Sequence, residues 1–115
     1  MMKIELSKFR IKKGKEIRAL EWLDFLNKRM PEVLETLEGE KMYVETIFKE
    51  YDGEHLYFYW YSIQGENGNH VEESEQGIDK LHLMYWKECI DSSYQSVDME
   101  AVVSMIPSRV IKSFE

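Results

Sequence analysis

The chain is short of cysteine and proline, with one Cys (Cys89) and two Pro among 115 residues. A single thiol excludes an intramolecular disulfide and a zinc site built on several cysteines. The longest apolar or aromatic run is Leu56 to Tyr61, far below the roughly 20 residues that cross a bilayer. Met1 to Glu5 lacks the apolar core of a signal peptide, so a cytoplasmic location and no membrane partner are expected. Positive charge is also in deficit, with 15 Lys and Arg against 22 Asp and Glu and a formal net charge of −7. That sign repels a phosphate backbone, and the one basic cluster, Lys8, Arg10, Lys12, Lys13 and Lys15, is outweighed elsewhere. Nucleic acid is therefore not an expected partner. No P-loop, dinucleotide fingerprint, G-x-S-x-G elbow, HExxH helix or EF-hand loop occurs. The expectation is a protein without cofactor or metal.

What is present suits one globular domain over residues 1–115, with 43% hydrophobic and 32% charged residues. Lys3 to Ile11 reads as a strand whose apolar phase moves from Ile4 and Leu6 to Phe9 and Ile11, as a β-bulge near Ser7-Lys8 would produce. After Gly14, residues Ile17, Leu20, Leu23, Leu26 and Met30 predict a helix from Lys15 to Met30, with Trp22 and Phe25 widening its stripe. Pro31 opens a short second helix that Gly39 ends. Glu40 to Tyr51 and Glu54 to Gln64 are strands rich in aromatic and β-branched residues, joined by the hairpin signal Asp52-Gly53. A helix is predicted from Gly77 to Cys89. Alternation at Val97, Met99, Ala101, Val103 and Met105 predicts a last strand, stopped at Pro107.

This order is βαββαβ, an α+β ferredoxin-like arrangement with both helices on one face of a four-stranded antiparallel sheet. A two-residue turn would pair Tyr51 with Glu54 and set Phe48 opposite Tyr57. Met42, Val44, Thr46 and Phe48 then share a face with Tyr57, Tyr59, Tyr61 and Ile63. Tyr43, Glu45, Ile47 and Lys49 share the other with Leu56, Phe58, Trp60 and Ser62. A four-residue loop keeps this division. Both faces are apolar, so a homodimer or a ligand-lined cavity is expected.

Glu45, placed opposite Trp60, is the first candidate for catalysis, because a carboxylate beside aromatic surface is desolvated and suited to acid/base work. The plain alternative is a solvated or lysine-paired carboxylate. His82 is the second, on a stripe with Ile78, Tyr85 and Cys89, with Asp79 beside it in the first helical turn. Its alternative is a hydrogen-bonded core histidine. Trp60, Tyr59, Asp79 and Trp86 are the expected binding residues around a small, partly apolar ligand. Glu66, Glu72, Glu73 and Glu75 with His70 and Asn69 form a weaker cation candidate, against a solvated loop.

The runs Phe9 to Lys15, Glu21-Trp22-Leu23, Glu45 to Phe48, Leu56 to Tyr59 and Ile78 to His82 resemble a bacterial family of small proteins without an assigned activity. The resemblance extends to about Pro107 and implies a dimeric α+β barrel. That fold is similar to the one used by the antibiotic-biosynthesis-type monooxygenases, the haem-degrading monooxygenases and the sugar mutarotases. In those dimers a cavity lies between sheet and helices. Haem-degrading members carry an asparagine on the first strand, where this chain has Glu5, Ser7 and Phe9. Three functions compete: a cofactor-independent enzyme or small-molecule binder, a non-catalytic homodimeric module, and, last, a single-stranded RNA binder stacking bases on Tyr57, Tyr59 and Tyr61. The RNA motif's glycines and basic residue are missing.

Overall fold

A computed structural model describes residues 2–66 and 77–114. The two aromatic-rich stretches pair as β2 (Met42–Tyr51) and β3 (Leu56–Gln64), antiparallel. On the far side of β3 lies β1 (Lys3–Arg10), and β4 (Val97–Met99) pairs with β1. The sheet order is β2-β3-β1-β4, antiparallel throughout. Helices α1 (Glu16–Lys28) and α2 (Met30–Gly39) join β1 to β2, α3 (Gly77–Cys89) precedes β4, and α4 (Ser108–Ser113) follows it. Pro31 sits in the first turn of α2, where its missing N–H removes no helical bond, and Arg29 leaves helical geometry between the two helices.

The hairpin turn is longer than its Asp52-Gly53 signal suggests. Tyr51 pairs with Leu56 and Phe48 lies opposite Tyr59, not Tyr57. Asp52 Oδ1 accepts from the backbone N–H groups of Glu54 and His55, which holds a four-residue connection with Gly53 at φ +94°. The division of faces survives because the loop is longer by an even number. Register does move Glu45, which lies opposite Ser62, while Ile47 lies opposite Trp60.

The bulge is found in a different strand. β1 pairs with β3 from Lys3 to Arg10 without a shift, and the irregularity falls between Met42 and Val44 of β2. Thus Met42, expected on the open face, joins the helix side. The apolar phase of β1 changes because its two ends serve different faces. Ile4 and Leu6 point to the open side, whereas Phe9 meets Trp60 and Trp86 under the helices.

α1 is rotated from the expected stripe. Ile17 is 76% exposed, and the buried face is Ala19 and Trp22, with Leu23 and Leu26 packed against the core. Trp22 carries more apolar area than any neighbour, so burying it decides the rotation. The core joins Trp22 and Ala19 of α1, Cys89 and Tyr85 of α3, and Leu56 and Phe58 of β3. Both helices therefore cover the side of the sheet that carries Phe58.

β4 is shorter than its alternation. Only Val97 to Met99 pair with β1, and residues 100–107 carry no strand pairing among the described residues. A strand pattern makes a strand only where a partner edge supplies hydrogen bonds. Along this stretch Met105 is 88% exposed, and Val102 and Val103 are also open. Trp22→Ala would leave a large void in this core and is expected to cost about 3–5 kcal/mol in chemical denaturation. A loss below about 1 kcal/mol would show that Trp22 does not anchor the helices.

Candidate functional site

Between the sheet and helices α2 and α3 lies a cavity of about 500 Å³, within the range that holds small organic ligands. Its floor is inward-facing strand residues: Glu5, Ser7 and Phe9 of β1, Glu45 of β2, and Trp60 and Ser62 of β3. Val33, Thr36 and Leu37 of α2 form one wall, and Ile78, Asp79, His82 and Trp86 of α3 form another. Of the expected site residues, the fold brings Glu45, His82, Asp79, Trp60 and Trp86 to this one cavity.

Tyr59 is not among them and is corrected. Neighbours along a strand point to opposite faces, so with Trp60 inward Tyr59 points to the open side. There its hydroxyl donates to Glu50 at 2.6 Å, and it borders a shallow apolar hollow with Leu6, Phe48 and Tyr61.

His82 is held by an indole. Trp22 Nε1–H donates to His82 Nδ1 at 3.0 Å. Because that nitrogen accepts, the ring proton resides on Nε2. Adding a second proton at Nδ1 would oppose two donors across the same bond. Burial itself depresses the His82 pKa, and Asp79 only partly offsets it. His82 is therefore a neutral hydrogen-bond donor through Nε2, which has no partner among the described residues. The expected role as half of a proton-exchanging pair is narrowed by this bond.

Glu45 carries the complementary property. Burial pushes its carboxyl above the usual range and the negative Asp79 adds to the shift, while a hydrogen bond from Trp60 works against both. A carboxyl with a raised pKa retains its proton nearer neutrality and can deliver it. Glu45 and His82 thus share a cavity, a contact with Trp60 and the field of Asp79.

Glu5, Ser7 and Ser62 were not singled out from sequence. Their signal was parity: without a bulge in β1, Glu5 and Ser7 fall on the same face as Phe9, and Glu5 lies opposite Ser62. Glu5 accepts from Gln64 and pairs with Lys3 at 3.1 Å, and Ser7 donates to Asp98 at 2.6 Å.

The basic cluster is tied down residue by residue. Arg10 pairs with Asp91 at 2.9 Å, Lys15 with Glu88 at 3.4 Å, and Lys8 lies 4.2 Å over the Tyr57 ring. Lys12 and Lys13 donate to the carbonyls of Lys87 and Glu54. Of the weaker cation candidate, Asn69, His70, Glu72, Glu73 and Glu75 lie outside the described residues. Among the described residues no cluster of three His, Cys, Asp or Glu has the spacing of a metal site, and no helix is long and apolar enough to cross a membrane.

A model for a family of unknown function matches residues 2–112 of the chain. No curated protein matches it.

Two outcomes follow from the buried pair. His82→Phe leaves the fully buried Trp22 N–H without an acceptor and is expected to cost about 1–3 kcal/mol, whereas His82→Gln, which can accept, loses less in the same denaturation series. Equal losses would sever the indole from His82. For Glu45, the raised folded pKa means that the native state holds the extra proton. Its stabilising share is complete below the ordinary carboxyl value of about 4.5 and is lost as pH rises through the folded value. Glu45→Gln should therefore gain stability relative to the parent between pH 4 and pH 7. Melting curves that stay parallel across that window would contradict the shift.

Proposed function

The chain belongs to the DUF6176 family, whose function is unknown, and from there we propose that it is a homodimeric, cofactor-independent small-molecule protein of the ferredoxin-like type. Its working site is the cavity between sheet and helices. The observation that carries this reading is the convergence of Glu45, Asp79 and His82 on one aromatic-walled space of about 500 Å³. His82 Nε2–H donates to an acceptor atom of the ligand, and Glu45 supplies or removes a proton beside it. Trp60 and Trp86 enclose the apolar part, and the low dielectric of the space strengthens each polar contact.

The sheet order supports the ferredoxin-like reading: from the β4 edge it runs 4-1-3-2, as two right-handed βαβ crossovers interleaved around one sheet require. The homodimer is supported by the open face, where Phe48 is 56% exposed and Leu6, Tyr59, Tyr61, Val97 and Met99 adjoin it. Two such faces laid together would remove an apolar surface that a monomer leaves in water. The unpaired stretch around Val102, Val103 and Met105 would find its covering in the same way.

Native mass spectrometry is expected to give twice the chain mass, and Phe48→Glu on the open face should shift the population to monomer. A parent protein that is monomeric at micromolar concentration removes the dimer from this reading. For the cavity, thermal-shift screening of a small-molecule library should find compounds that stabilise the parent. Their affinity should fall about tenfold or more in Glu45→Gln, with the unliganded variant still folded. If no compound stabilises the parent, or if Glu45→Gln leaves every affinity unchanged, the site assignment fails.

A further inference from the structure

Asp79 is the one charged side chain that is buried among the described residues, at 6% exposure. It lines the cavity, yet among the described residues its side chain has neither an ion pair nor a hydrogen bond. No fully buried side-chain polar atom of the described residues lacks a partner, so the unpaired Asp79 oxygens are not sealed in packed protein, and Asp79 lines the cavity. A carboxylate removed from water is costly unless a counter-charge meets it. Among the described residues no cation pairs with it, and only the partial positive field of the first turn of α3, where Asp79 sits, acts on it. The charged ones among the described residues lining the space are Glu5, Glu40, Glu45, Asp79 and Lys87, and Lys87 is exposed.

A ligand that brings a positive charge would complete the pairing. A metal ion suits the site poorly, because the described acidic groups and His82 do not cluster within shared coordinating distance, and hard cations seek about six or more oxygens. The walls argue for an organic cation instead. Phe9, Trp60 and Trp86 form a mutually packed aromatic surface, with Phe9 and Trp86 centroids 4.8 Å apart and those of Trp60 and Trp86 5.4 Å apart. Such faces bind both an apolar body and a neighbouring cation.

We propose that the ligand is a protonated amine on an apolar or aromatic body, its ammonium held by Asp79 and Glu45 and its body against Phe9, Trp60 and Trp86. The inference rests on the cavity being a small-molecule site. It adds a sign of charge and a division of labour: Asp79 binds, Glu45 shares the cation or its proton, and His82 Nε2–H is left for an acceptor on the same molecule.

The test is calorimetric titration of the full chain at pH 7 with phenethylammonium, 2-phenylethanol and 3-phenylpropionate, which share a shape and differ in charge. Phenethylammonium is expected to bind at least tenfold more tightly than either of the others. Asp79→Asn should remove most of that preference while leaving 2-phenylethanol unchanged, which also shows that the cavity is intact. Should the variant not fold, the ranking of the three probes on the parent still decides. Tighter binding of the alcohol or the acid overturns the amine inference and leaves the small-molecule reading standing. No binding by any probe at millimolar concentration overturns both.

Discussion

The bond from the Trp22 indole to His82 organises both the core and the cavity. Trp22 is fully buried and packs on Phe58, Trp60, Tyr85 and Trp86, so it is the point where α1, α3 and the sheet meet. A buried indole N–H needs an acceptor, and His82 on α3 provides it at 3.0 Å. One contact thus ties two helices across the sheet and orients a cavity side chain. It also decides which imidazole nitrogen is engaged, Nδ1, and which is left over, Nε2. Core packing and the state of a cavity-lining imidazole share a single hydrogen bond, which constrains what either residue can become.

The cavity exists because that anchor lies to one side of it. Trp22 fills the space near the β3–α3 contact, while α2 leans over β2 with smaller residues, Val33, Thr36 and Leu37. The volume between is lined where strand alternation turns Glu5, Ser7, Glu45 and Ser62 inward. Four polar inward residues on three adjacent strands are poorly suited to a dry core, and here they floor an open space. The opposite face is richer in apolar and aromatic residues, Leu6, Phe48, Tyr59 and Tyr61 among them, and Phe48 there is 56% exposed. The two faces thus differ in kind, with a polar-floored cavity under the helices and exposed apolar residues such as Phe48 on the other side.

Much of this was legible in the sequence because it depends on local pattern. The two aromatic-rich strands, the helix ending at Cys89 and the break at Pro31 follow from period-two alternation, helical spacing and proline's missing N–H. Glu45, Asp79, His82, Trp60 and Trp86 could be singled out because ionisable groups beside apolar residues are rare and costly. Strand parity already sets Tyr59 on the face opposite Trp60, and the structure keeps it there, outside the cavity. The β1 bulge was inferred from a phase change that instead reflects one strand serving two faces. The expected last strand fell short for another reason, since alternation at residues 97–105 specifies a strand only where an edge is available to pair.

The sequence by itself determined most of the element types, the exclusion of an intramolecular disulfide, the acidic balance and the residues that carry ionisable groups, because these are properties of composition and near-neighbour spacing. Tertiary structure alone decided the hairpin register that sets Glu45 opposite Ser62, the bulge in β2, the rotation of α1 onto Trp22 and the burial of Asp79. Each of these is a balance between elements distant in the chain. Packing a large indole, pairing a strand edge and satisfying one buried N–H are won or lost only when those elements meet.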